Sequence, residues 1–215
     1  MKIKKYRRFK DDSHNILYSQ IHSLCGIVPV GLFLLEHIFT NSMVLGGPAP
    51  FNAAVEHLAS IPHEIMLPLE ICFILVPFLF HGLYGLYILM QAKNNVKSYG
   101  YARNWNFYFQ RITAVIIFLF LIWHVVYLRI MVKGGGTPIS FELLQAYFQN
   151  PLVWGAYTIA MIASIFHFFN GLTTFTMTWG IAKGPRIQTF FSRVFMAIFV
   201  VLSLLTIAFM SMYWF

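Results

Sequence analysis

The sequence predicts an all-α fold: an integral membrane bundle of five transmembrane helices, with the N-terminus cytoplasmic and the C-terminus outside. Three observations carry that prediction. Of 215 residues, 59% are hydrophobic and only 10% charged, whereas a soluble domain is about 45–50% apolar and about 25% charged. Five apolar runs reach the ~20 residues needed to cross a ~30 Å hydrocarbon core. The basic residues lie almost wholly in alternate gaps between those runs.

Taken in order, residues 1–20 read as a cytoplasmic segment, basic through Lys10 and then polar at Asp11, Asp12, Ser13 and His14. No small-residue cleavage site follows the first run, so that run is expected to be a retained helix and not a signal peptide. Helices are expected over about 21–45, 65–92, 109–132, 151–178 and 190–214, within one membrane domain spanning 1–215. Breakers separate them: Gly46, Gly47, Pro48 and Pro50, then Gly100, then Gly134 to Gly136 with Pro138, then Gly184 and Pro185. One bundle uses nearly the whole length. Chemistry on a large polar substrate therefore belongs to a partner.

The net charge of +8 could suggest nucleic acid, but its distribution argues for topology. Lys2, Lys4, Lys5, Arg7, Arg8 and Lys10 precede the first run; Lys93, Lys97, Arg103 and Arg111 follow the second; Lys183, Arg186 and Arg193 follow the fourth. Only Arg129 and Lys133 fall on the other side. The positive-inside rule assigns the crowded side to the cytoplasm. Trp105, Trp154, Trp179 and Trp214 lie near run ends, as an interfacial aromatic belt requires. Cys25 and Cys72 form no C-x-x-C-H haem-attachment motif and read as small core residues.

Four histidines, His37, His81, His124 and His167, each lie about sixteen residues into a run. At 1.5 Å per residue, His37 and His124 arrive ~24 and ~22 Å from the inner face. His81 and His167, on helices running inward, lie ~24 Å from the outer face, or ~6 Å from the inner one. The two pairs are thus ~18 Å apart along the membrane normal. An ionisable group at such depth marks a functional site, and paired imidazoles from facing helices are what a haem in a bundle core needs. With both axial positions filled, such a haem carries electrons and binds no oxygen. Gly31, Gly82, Gly85 and Gly171 lie near these ligands, either to make room for a ring or for helix contact.

Other residues carry weaker signals. His22, at the inner start of the first helix, either meets a haem propionate, a quinone or a partner, or is an ordinary interfacial histidine. His57 and His63 share the first outer link with Glu56 and Glu64 and serve either proton exchange or a solvated loop. Glu36 and Glu70 are notable acids in apolar helices, either proton carriers or neutral hydrogen-bonded groups. Glu36 points about 100° from His37 along the helix.

The segments HSLCGIVPVGLFLLEH (22–37), FLFHGLYGLYI (78–88), AKNN (92–95), RNW (103–105), QRIT (110–113), WHVV (123–126), IFHFFNGL (165–172) and TWGI followed by PR (178–186) together resemble the cytochrome b558 membrane-anchor subunits of succinate:menaquinone oxidoreductases. These are the five-helix, dihaem anchors of Gram-positive bacteria. The resemblance implies a subunit of succinate dehydrogenase in the bacterial cytoplasmic membrane. It implies two haems b, with His37 and His124 as axial ligands of the outer haem and His81 and His167 of the inner one. Electrons would come from succinate through FAD in a flavoprotein subunit and iron–sulfur clusters in a second subunit, and leave to menaquinone near the outer haem.

Within that resemblance, His22, Arg103 and Arg111 are expected to neutralise inner-haem propionates or dock the iron–sulfur subunit, since guanidinium forks match carboxylates. Glu36, Glu64 and Glu70 are the candidates for quinone contact or proton transfer. Two departures stand out. Glu36 replaces a glutamine expected beside the first ligand, and Ile165 stands where related fumarate reductases carry a glutamate, which favours succinate oxidation. The alternative reading is the haem anchor of another membrane dehydrogenase, a fumarate reductase, hydrogenase or formate dehydrogenase. A transporter with a histidine proton relay is a reading of a different class.

Overall fold

The structure, a computed structural model, describes residues 16–214. The N-terminal basic stretch and His14 lie outside the described residues. Among the described residues, five helices are long and apolar enough to cross a membrane: α1 (Ile16–Gly46), α3 (His63–Gln91), α4 (Ala102–Lys133), α6 (Pro151–Thr178) and α7 (Pro185–Ser211). Two shorter helices, α2 (Pro48–Ala59) and α5 (Phe141–Phe148), fill links that the sequence reading left without structure. The spanning helices begin earlier than the apolar runs in places, most of all α4. Its first turns carry Arg103, Asn104, Asn106 and Gln110, so hydropathy fails there although helical hydrogen bonding does not.

Prolines shape these helices without ending them. Pro29 removes one amide donor in α1, but Val28 N–H to Leu24 O at 2.9 Å and Leu32 N–H to Val28 O at 3.2 Å continue the ladder on either side. In α3, Pro68 and Pro77 flank a π-helical stretch, Glu70–Leu75. A second π stretch, Val125–Lys133, follows His124 directly in α4. Such wide turns re-aim side chains and cluster at functional sites.

Helix α6 is the hub. It packs against α4 on one side and α7 on the other, and its buried residues, among them Tyr157, Ala160, Ile165, Phe169 and Thr173, fall all around its axis. Helix α1 touches α2, α3 and α7. Gly31 brings α1 against Phe168 of α6 so closely that a Cβ there would overlap the ring. Within lipid there is little hydrophobic drive between helices, so small residues that permit close approach take that role.

The densest core lies at one end, under α2 and α5. Val44, Phe51, Phe141, Leu144, Phe148, Tyr157, Phe209, Met210 and Tyr213 are buried together there. Its share from α2 and α5, Phe51, Phe141, Leu144 and Phe148, lies outside the spans and can use the hydrophobic effect, at about 1.5–3 kcal/mol for each large side chain fully buried. Ser140 caps α5 by accepting from Leu143 N–H at 3.3 Å. Asn52 of α2 ties the two short helices together, accepting from Phe141 N–H at 2.7 Å and donating to Glu142 at 3.4 Å. This will be called the capped end. The opposite, basic end carries Lys93, Lys97, Arg103, Arg111, Lys183, Arg186 and Arg193. Cys25 is half-buried, and Cys72 is exposed on the outside of α3. The expectation of two core cysteines thus fails for Cys72, which lies in a helix with no buried residues among those described.

Candidate functional site

Four helices contribute to the bundle centre, and each brings one histidine. The rings of His81 on α3 and His167 on α6 face each other with centroids 6.1 Å apart and planes at 87°. Those of His37 on α1 and His124 on α4 lie 5.9 Å apart at 82°. A metal held by one nitrogen of each ring at about 2 Å sets ring centres about 6 Å apart. Both pairs therefore have the spacing of two imidazoles on a single iron. The first pair lies toward the basic end, the second toward the capped end.

The pair near the basic end is oriented by backbone. Nδ1 of His81 hydrogen-bonds the carbonyl of His22 at 2.8 Å, and Nδ1 of His167 the carbonyl of Gln110 at 3.1 Å. A carbonyl only accepts, so each Nδ1 carries the proton and each Nε2 keeps its lone pair for a metal. Gln110 is itself fixed. Its Nε2 donates to His167 O at 3.0 Å, and its Oε1 accepts from Asn170 Nδ2 at 2.8 Å. Gly26 lets α1 press on His81, where a Cβ would overlap the imidazole.

The pair near the capped end sits among aromatic rings. Phe33 stacks on His37 at 5.6 Å, and Phe120 and Tyr157 lie 5.4 and 5.7 Å from His124. Nδ1 of His124 and the Tyr157 hydroxyl are both buried without a hydrogen-bond partner among the described residues. Such orphaned polar atoms mark a place where a further group belongs. The chemistry of the donor set fits haem at both pairs: neutral imidazoles from facing helices, with glycines and aromatic rings around them.

The weaker candidates separate. His22 joins the first pair: its ring lies parallel to His81 at 4.1 Å and 3°, with Nε2 buried and unpartnered. Arg103 reaches Met177 Sδ at 3.4 Å, and Arg111 lies over the Phe107 ring and bonds Asn94 in the link after α3. Neither guanidinium reaches the histidines, and both stay near the basic end. Glu36 is half-buried and accepts from Thr40 Oγ1 at 2.5 Å, away from His37. Glu56, His57, His63 and Glu64 are exposed around the start of α3. Glu70 pairs with Arg129 through a 2.6 Å Nη2–Oε2 contact.

Sequence reasoning missed Gly26, Gln110, Asn170 and Tyr157, and it missed the partner of Glu70. A buried Asn in an apolar helix, and two lone opposite charges at similar depth in neighbouring helices, were the available signals.

Comparison with known proteins agrees with this architecture. Residues 96–209 match the family described as succinate dehydrogenase/fumarate reductase transmembrane subunit. The chain is also similar to the succinate dehydrogenase cytochrome b558 subunit of Bacillus subtilis (strain 168), at 39% identity over 186 residues that cover 86% of this chain and 91% of that one. With five apolar spanning helices among the described residues, a family match over half its length and a relative 39% identical over most of both chains, the chain is a multi-pass membrane protein that belongs to the succinate dehydrogenase/fumarate reductase transmembrane subunit family.

Proposed function

We propose that the chain is a dihaem b-type cytochrome that anchors succinate dehydrogenase and carries electrons from its iron–sulfur subunit to menaquinone. The observation that carries this is the pairing itself: two facing imidazole pairs, at 6.1 and 5.9 Å, stacked along one bundle axis. Bis-histidine haems bound there supply one-electron transfer with no open axial position. His81 and His167 would hold the haem toward the basic end, which the charge bias places in the cytoplasm. His37 and His124 would hold the other.

The remaining residues divide by end. Arg103, Arg111 and the neighbouring lysines offer a basic face for the iron–sulfur subunit, which with the FAD-bearing flavoprotein would oxidise succinate. His22 would pack on the ligand His81 and present its free Nε2 to a haem propionate. Menaquinone would be reduced toward the capped end, where Glu36, Glu64 and Glu70 are the acids within or beside the membrane. Ile165 is fully buried at the position where the fumarate reductases it resembles carry glutamate, which supports succinate oxidation as the working direction.

The test is a set of reduced-minus-oxidised spectra of the membrane complex with succinate as donor, in wild type and in four single histidine variants. Two haem bands should appear, one lost in H37A and H124A and the other in H81A and H167A. Loss of a common haem in H37A and H81A would sink the assignment, as would a nickel or molybdenum partner in place of a flavoprotein.

A further inference from the structure

Glu70 and Arg129 form an ion pair at lipid depth that the haem sites do not use. Glu70 lies seven residues into α3 and Arg129 four residues before the end of α4, so both are about 6–10 Å inside the capped end. A charge so placed is costly and needs a reason.

Its position relative to the second histidine pair is fixed by the two π stretches. Arg129 follows His124 by five residues. In an α-helix that step points well away, but in wide i to i+5 winding residue i+5 returns closer to the side of residue i. The α4 stretch shows that winding, for instance Gly134 N–H to Arg129 O at 3.1 Å. On the other side, Glu70–Leu75 packs against Pro29–Ser42, the part of α1 that carries His37. The pair therefore lies between the His37–His124 level and the capped end, bridging α3 and α4.

The pair is also incomplete. Among the described residues the Nη2–Oε2 contact is the only hydrogen bond of either side chain. The side chains are 40% and 26% exposed on the bundle. The other guanidinium N–H groups and Oε1 thus have no partner among the described residues. A lipophilic molecule with carbonyl acceptors satisfies the guanidinium N–H groups.

We propose that Glu70 and Arg129 form the headgroup site of a naphthoquinone that enters from the lipid between α3 and α4. This rests on the proposed function. An Arg129 N–H donates to a quinone carbonyl oxygen. With Arg129 turned to the quinone, the Glu70 carboxylate takes a proton from water at the capped end; as the quinone takes up two electrons delivered through the anchor, that proton moves to the same carbonyl oxygen and an O–H bond forms. Glu70 is left as a carboxylate and pairs again with Arg129. A second proton, taken up from water at the capped end, goes to the other oxygen and completes the quinol.

The test uses the intact membrane complex with a short-chain naphthoquinone as acceptor. Rates are normalised to haem content and to succinate oxidation with a soluble dye. R129L and the double variant E70L/R129L should each raise the naphthoquinone KM about tenfold or more, the loss expected for one charge-assisted hydrogen bond. A quinone-site inhibitor should bind with matching loss, whereas K133A stays within twofold of wild type. The double variant keeps the test fair, since replacing a whole ion pair by apolar groups is often neutral for folding. If E70L/R129L reduces the quinone with wild-type KM, the pair is a structural tie or an anchor to lipid phosphate, and the inference is overturned. If wild type itself passes no electrons from succinate to the quinone, the underlying function fails and this site with it.

Discussion

His22 holds His81 twice: its carbonyl accepts from His81 Nδ1 at 2.8 Å, and its ring stacks on the same imidazole at 4.1 Å. The first contact sets the tautomer and the second the plane of the ring. Substitution of the His22 side chain removes only the second, because the carbonyl belongs to the backbone. H22A should therefore keep the haem assigned to His81 and His167 but shift its potential, while the other haem stays put. Redox titration of the two bands checks this; identical potentials for both haems in wild type and H22A would count against it.

Gly26 makes that arrangement sterically possible. A Cβ at this position would overlap the His81 ring, which is held by His22, one turn before Gly26 in α1, and cannot retreat without breaking its hydrogen bond. At Gly82 a Cβ would only touch Phe118 at 3.4 Å. G26A should lose the haem of the basic end while G82A retains both, read as band amplitudes in the same membranes. Two retained bands in G26A would show that α1 can give way.

Gln110 and Asn170 orient the opposite histidine, His167. Gln110 O receives the His167 Nδ1 proton, and the Gln110 side chain is locked by Asn170 and by His167 O. Removing outer-shell partners of a ligating histidine commonly costs about 10–100-fold in affinity or activity. N170A should thus weaken retention of the haem at the basic end, seen as faster loss during detergent extraction, and N170Q should rescue little because its amide sits one carbon farther out.

These relationships show where the sequence was readable. Five spans and four matched histidines could be read because lipid enforces long apolar runs and penalises every polar side chain within them. Topology then needs only chain direction and rise per residue. Gln110 was hidden because its function is to hold a carbonyl-bonded ring and it sits among other polar residues in the first turns of its helix, whereas Asn170, buried in an apolar helix, could have been read but its partner could not. The Glu70–Arg129 pair was hidden because a 3.6-residue period does not describe the two π stretches that bring it together. The helices α2 and α5 were missed because glycines and prolines at 46–50 and 134–138 read as plain links, whereas Pro48 and Ser140 start helices there.

The cap formed by α2 and α5 should depend on pH through Glu142. Its own backbone N–H, the Ser140 hydroxyl and the Asn52 amide hold its carboxyl below the ordinary glutamate range. A lowered carboxylate contributes stability that is fully present above the unfolded value, about 4.3, and is lost as pH falls through the lower folded value. Hydrogen exchange of the α5 amides should therefore quicken, relative to the spanning helices, only below that ordinary range. S140A should quicken it at every pH, since a lost N-cap costs about 1 kcal/mol regardless of Glu142 ionisation. An E142Q chain that still showed the acid-dependent step would place the titrating group elsewhere. Because Phe141, Leu144 and Phe148 pack on Tyr157 and Tyr213, loosening α5 should also reach the aromatic cage of His124, and with it the potential of the haem at the capped end.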